Sequence, residues 1–238
     1  MVPTTVLLES LWNSETMPFS RESQDLLFEV WSRNDRNWYH ENKDLIKTFV
    51  TEPFIQLVRS LQPVMLDIDP LMDCSEKRIS RVYRDARVIG NGSFFRDHVW
   101  CTMGRGRDVM YGYPAFFFEL SAREFRYGMG YYIPAKESLE AIREMILAED
   151  KVFRKAFAAH RKQKVFTLSG ESYKRNHFPD APGKYWDWLN RKTFFWFYES
   201  NDENRLYSEN LAEKIASDFQ QLAPVYQFLL KAENTWRE

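Results

Sequence analysis

Apolar positions along the chain recur first every three to four residues, then every second residue, then every three to four again. From Ser20, the side chains of Leu26, Leu27, Val30 and Trp31 fall on one helical face, and Asn34-Asp35 supplies a stop and a fresh N-cap. A second helix is predicted from Trp38, Leu45, Ile46, Phe49, Phe54, Leu57, Val58 and Leu61, with Pro53 imposing a kink or a restart. Asn42, four residues after Trp38, shares its inward face. Near Ser80 the period drops to two. Residues 80 to 88, 98 to 103, 114 to 120 and 124 to 131 are rich in Val, Phe, Tyr and Trp and are separated by Gly, Asn and Arg-Gly turns, the pattern of an antiparallel meander. Helices return at 135 to 148 and 150 to 160. Then come a short strand at Val165 to Leu168, a loop from Asn176 to Gly183 and an aromatic strand at Thr193 to Tyr198. The last element is a long helix striped by Leu211, Ile215, Phe219, Leu222, Tyr226 and Leu229. This order predicts an α+β fold, a central antiparallel sheet flanked by N-terminal and C-terminal helices. Residues 1 to 18 read as an N-terminal arm and 19 to 232 as a single domain.

Composition narrows the classes. With 238 residues, 44% of them hydrophobic and 16% aromatic, the chain can bury a sizeable core. A net charge of -1 and a pI near 6.5 argue against a general polyanion binder, so nucleic acid is not the expected partner. Cys74 and Cys101 have no metal or redox spacing, and His40, His98, His160 and His177 show no paired-ligand pattern, so no metal and no cofactor are expected. There is no apolar run long enough for a membrane span and no signal-like segment, which predicts a soluble, cytoplasmic protein with reduced thiols.

Charge is balanced overall but not locally. Lys77 to Arg107 holds eight Lys or Arg against two acids, Asp85 and Asp97. If 80 to 88 is a strand, Arg81, Tyr83, Asp85 and Arg87 share one face, and Val82, Arg84, Ala86 and Val88 share the other. Two readings of the polar face stay open. It is a solvated surface of ion pairs, or an anion pocket in which Asp85 orients the guanidinium groups. Arg84, on the Val face, is expected to be buried and to need a carboxylate such as Glu119 or several carbonyls. Gly128 and Gly130 strip one face of the strand at 124 to 131, which suits either close packing or the approach of a ligand. Lys174 and Arg175 add two cations in a predicted loop, read either as solubilising surface or as a further part of a site.

Several of these segments resemble one known family. Asn34-Asp35-Arg36-Asn37-Trp38-Tyr39 with Asn42-Lys43, then Arg81-Val82-Tyr83-Arg84-Asp85-Ala86-Arg87, Phe118-Glu119-Leu120-Ser121, Gly128-Met129-Gly130-Tyr131 and Gly170-Glu171-Ser172-Tyr173-Lys174-Arg175 are similar, in order, to the motifs of the bacterial and fungal family called domain of unknown function 2461. The resemblance covers roughly Phe19 to Leu230 and implies no particular activity. Where relatives carry a Lys- and Pro-bearing loop after the arginine motif, this chain reads Val88-Ile89-Gly90-Asn91-Gly92-Ser93-Phe94-Phe95-Arg96, and of the loop's cations only Arg96 remains.

The leading expectation is therefore a small anionic ligand in a cleft lined by Arg81, Arg84, Arg87, Arg96, Lys174 and Arg175, supported by Asn34, Trp38, Asn42, Lys43, Gly128 and Gly130. Were the protein an enzyme, Asp85 or Glu119 would act as acid or base with Tyr83 as helper. The rivals are a protein-interaction module without a small-molecule site and, more weakly, a single-stranded nucleic-acid binder.

Overall fold

In a computed structural model, which describes residues 19–84, 92–106 and 112–237, the α+β order holds. Helix α1 (Arg21–Arg33) opens on a box in which Ser20 and Ser23 bond each other's backbone, and it buries Leu27 and Val30. It stops at Asn34, which adopts the left-handed conformation at φ 50°. Asp35 then caps α2 (Arg36–Glu41), accepting from the amides of Asn37 and Trp38. The restart expected at Pro53 takes the form of a π-helical turn, Lys47–Thr51, between α3 (Lys43–Ile46) and α4 (Glu52–Ile68). Pro53 sits in the first turn of α4, where a missing N–H is tolerated.

The sheet comprises β1 (His98–Gly104), β2 (Ala115–Ser121), β3 (Phe125–Tyr131), β4 (Thr167–Ser169) and β5 (Phe194–Ser200), in the spatial order β1-β2-β3-β5-β4 with every pairing antiparallel. Between the hairpins come α5 (Lys136–Leu147) and α6 (Lys151–Lys162). The short helices α7 (Trp186–Leu189) and α8 (Glu203–Leu206) and the long α9 (Leu211–Thr235) complete the chain.

Alternation along the strands sorts the two faces. Phe116, Phe118, Tyr127, Met129 and Trp196 point into the core. There Phe54 of α4 meets Phe118, and Phe219 and Tyr226 of α9 meet Phe116, so both ends of the chain cover the same face. The opposite face carries Trp100, Phe117, Glu119, Arg126, Phe195 and Phe197 and is partly exposed. Among the described residues no helix is long and apolar enough to cross a membrane.

The N-terminal arm, residues 1 to 18, lies outside the described residues. So do Asp85 and Arg87 of the arginine motif.

Candidate functional site

The arginine motif is not a full strand of the sheet. After a 3-10 turn at Glu76–Arg78, Ile79 bridges Cys101 on the free edge of β1, and the Ser80 amide donates to the Trp100 carbonyl at 2.7 Å. The chain then turns to pair with residues 94 to 96. Tyr83 bridges Phe95, the Arg84 amide donates to the Phe94 carbonyl at 2.8 Å, and the Arg96 amide donates to the Val82 carbonyl at 2.9 Å. Over its described part the segment expected as a strand from 80 to 88 is thus a short two-stranded arm beyond the β1 edge.

Helix α2 lies against this arm, and that overrides the simple alternation of faces. The Tyr39 ring packs 4.6 Å from Tyr83 and 5.2 Å from Phe95, so Tyr83 is half-buried in an aromatic cluster rather than on an open polar face. One turn earlier on α2, the Arg36 guanidinium stacks 4.0 Å above the Phe94 ring. Burial, and then the neighbouring Tyr83, raise the pKa of the Tyr39 hydroxyl, while Arg81 opposes them. Arg81 itself is exposed.

Arg84 is half-buried, and its Nε donates to the Phe95 carbonyl at 3.0 Å. The expected pairing of Arg84 with Glu119 is not formed. The β2–β3 register sets Glu119 opposite Arg126 on the outer sheet face, and the two form an ion pair at 2.8 Å. Arg96 serves the backbone of the arm, donating to the carbonyls of Arg81 at 2.9 Å and Tyr83 at 2.7 Å, with its guanidinium 4.9 Å over Trp100. Beside the arm, burial pushes the Asp97 carboxyl up. The hydrogen bond with His98 and the charges of His98 and Arg84 outweigh it and hold the group below the usual range.

The supporting residues divide. Asn34 touches the arm directly: its amide nitrogen donates to the Gly92 carbonyl at 2.9 Å, and its amide oxygen accepts from the Phe94 N–H at 2.7 Å. Trp38 instead lies under the Arg33 guanidinium, and Asn42 donates back to the Trp38 carbonyl at 2.8 Å, a local closure of α2. Lys43 is exposed. Gly128 and Gly130 serve strand packing: a Cβ at Gly128 would stand 1.9 Å from the Trp196 carbonyl oxygen, and one at Gly130 would stand 2.7 Å from the Phe195 ring. Lys174 and Arg175 are exposed in the segment that follows β4, where Ser172 bridges Arg191. Since β1 and β4 are opposite edges of the sheet, roughly 20 Å of strand spacing separates these two cations from the arginine arm.

Sequence reasoning missed three buried carboxylates. Asp69, Asp218 and Glu233 are at most 1% exposed, and each accepts from a buried tyrosine hydroxyl: Tyr226 to Asp69 at 2.6 Å, Tyr127 to Asp218 at 2.7 Å, and Tyr131 to Glu233. Each also meets an arginine: Arg105, Arg205 and Arg237 respectively. The signal was present in the last helix, where Asp218 and Glu233 fall on its apolar stripe. A cavity of about 360 Å³ opens beside one of these clusters, lined in part by Asp202, Arg205, Asn210 and Lys214. Its two cations already reach Asp218, at 3.2 Å from Arg205 and 2.8 Å from Lys214.

The arginines of the arm differ from those that hold the buried carboxylates. Arg78, Arg105, Arg126, Arg205 and Arg237 are each paired with a carboxylate. Among the described residues, no carboxylate lies within ion-pair distance of Arg36, Arg81 or Arg84. Nor, among those residues, does any group of three His, Cys, Asp or Glu side chains offer a metal site.

Fold and arm together define an α+β protein with helices over one face of an antiparallel sheet and an arginine-bearing arm on the sheet edge. The chain belongs to the family described as conserved hypothetical protein, domain of unknown function 2461, which it matches over residues 22–228. No curated protein matches it.

Proposed function

We propose that this protein binds a small anionic ligand, bearing phosphate or carboxylate, on the ledge where α2 meets the arm of residues 81–84 and 94–96. One observation carries the reading: exposed Arg81 and half-buried Arg84 have no carboxylate within ion-pair distance among the described residues, whereas Arg78, Arg105 and Arg205 are ion-paired. A guanidinium with no carboxylate in direct contact keeps N–H donors for an oxyanion. Arg87 and Asp85, the remaining charges of the motif, belong to the same proposal. Catalysis is left unassigned. Lys174 and Arg175, at the other edge of the sheet, would require a second contact with an extended ligand and form no part of the minimal site. A cytoplasmic location is proposed with it: Cys74 and Cys101 are free, and burial raises their thiols to about 11 and about 12, so both stay protonated, as suits a reducing compartment.

The test is a thermal-shift panel of inorganic phosphate, a sugar phosphate, a nucleotide and a dicarboxylate on the full chain and on Arg81→Gln/Arg84→Gln. A shift in the parent that disappears in the double variant supports the site. No shift in the parent removes it. The interaction-module reading would then take its place, favoured by the half-exposed Trp100, Phe117, Phe195 and Phe197 on the outer sheet face.

A further inference from the structure

We infer that Arg36 is a third anion-binding residue of this ledge and that Asn34 is the residue that positions it, acting through Phe94. The inference rests on the anion-site reading above. Asn34 ends α1 in the left-handed conformation. A helix that ends on a left-handed residue commonly uses glycine there, because glycine carries no Cβ penalty. Asn tolerates the conformation and adds a carboxamide, and here both ends of that carboxamide are used on a segment 58 to 60 residues away. The amide oxygen and nitrogen grip the arm on either side of Ser93, so Phe94 is fixed relative to the start of α2.

Phe94 in turn connects two arginines. Its carbonyl accepts from the Arg84 amide in the arm, and its ring lies under the Arg36 guanidinium. A guanidinium resting over an aromatic ring has one side covered and still has N–H donors to offer a phosphate or carboxylate. Tyr39, one turn further along α2, packs its ring 4.6 Å from that of Tyr83, the residue before Arg84, so this helix carries Arg36 against the same arm as the other two arginines. The clamp therefore holds Arg36 against the arm that carries Arg81 and Arg84, three guanidinium groups with no carboxylate in ion-pair contact among the described residues. Three such charges favour a ligand carrying two negative charges, a phosphate monoester or a dicarboxylate, over a monoanion.

The clamp can be removed without removing the helix stop. Asn34→Gly preserves the left-handed C-cap and deletes both hydrogen bonds to the arm. Binding of inorganic phosphate and of succinate, the simplest probes of the two anion types, is measured by calorimetry at fixed ionic strength for the parent, Asn34→Gly, Arg36→Gln and the double variant. The parent is expected to bind at least one probe. Each single variant is expected to lower that affinity about tenfold, the worth of one charge-assisted contact. In the Arg36→Gln background, Asn34→Gly is then expected to cost less than about twofold, because a positioning residue has nothing left to position. Phe94→Leu is the second variant, for the case in which Asn34→Gly does not fold. It keeps the main-chain bond to Asn34, strips the ring from Arg36, and should reproduce the loss in the parent but not in Arg36→Gln. Additive losses in these cycles, or full affinity in Arg36→Gln, overturn this inference while leaving the anion site standing. Absence of binding of both probes to the parent overturns the anion site and this inference together.

Discussion

The Tyr226 hydroxyl donates to the Asp69 carboxylate at 2.6 Å, across 157 residues of sequence, and Arg105 grips the same carboxylate at 2.6 and 2.7 Å. This ties the end of α4 to the middle of α9 and to the loop after β1.

Acid should release this tie. Burial pushes the Asp69 carboxyl up, but the hydrogen bonds from Arg105, Tyr226 and the Leu71 amide outweigh it, and the group titrates below its ordinary value. A carboxyl depressed in the folded state contributes stability that is present above its unfolded pKa of about 3.9 and is lost as pH falls through the folded value. Thermal melts of the parent should therefore steepen downward below about pH 4, and Asp69→Asn should flatten that limb. At neutral pH the same substitution should destabilise by about 3 kcal/mol, since Arg105 loses its partner. A variant that melts like the parent across this range would contradict the assignment.

Gly128 and Gly130 should respond unequally to Ala. At Gly128 the new methyl would meet a main-chain oxygen at 1.9 Å, so β3 and β5 cannot stay paired in register. At Gly130 the obstacle is the ring of Phe195, which can turn aside on its own torsions. Gly128→Ala should fail to give a cooperative melt, whereas Gly130→Ala should fold with a loss of about 1–3 kcal/mol, as for other overpacked sites. Equal behaviour of the two variants by circular dichroism would argue against the close-packing role.

Arg84→Ala should cost little. The sequence pattern suggested a buried side chain satisfied by a carboxylate or by several carbonyls, with a large cost in the first case; Arg84 is half-buried and donates to a carbonyl. Loss of one such bond costs about 1 kcal/mol. For a chain of this length that corresponds to a fall of about 2–4 °C in Tm. A drop several times larger would point to a carboxylate partner after all.

What was legible in the sequence was whatever repeats locally. The two-residue alternation of β1 to β3 and the stripe of α9 follow from the geometry of one element at a time, and the structure keeps them within a few residues. Pairing partners distant in sequence were not legible. That β5 inserts between β3 and β4 depends on strands some 65 residues apart, and it is this order that carries Lys174 and Arg175 away from the arginine arm. Tyr83 was misread because alternation assumes one open face, whereas α2 lies over the arm on that side. The acids of α9 were visible as polar residues on an apolar stripe. Their tyrosine partners sit on other elements, so the letters alone gave no reason to accept them as core.

Asp218, Tyr226 and Glu233 span 15 residues of α9, about 22 Å of helix, and all three are pinned through directional bonds. Greasy contacts alone would let such a rod creep or roll, since one methyl seat resembles the next. Three pins fix its axial and rotary setting together, because a slip of a single residue would strand two carboxylates and a phenol in the dark interior. The last helix is therefore the chassis of the molecule. On the far side α2 rests on the arm through ring contacts and one carboxamide, so a ligand bound at the proposed site would meet the less firmly pinned end of the molecule.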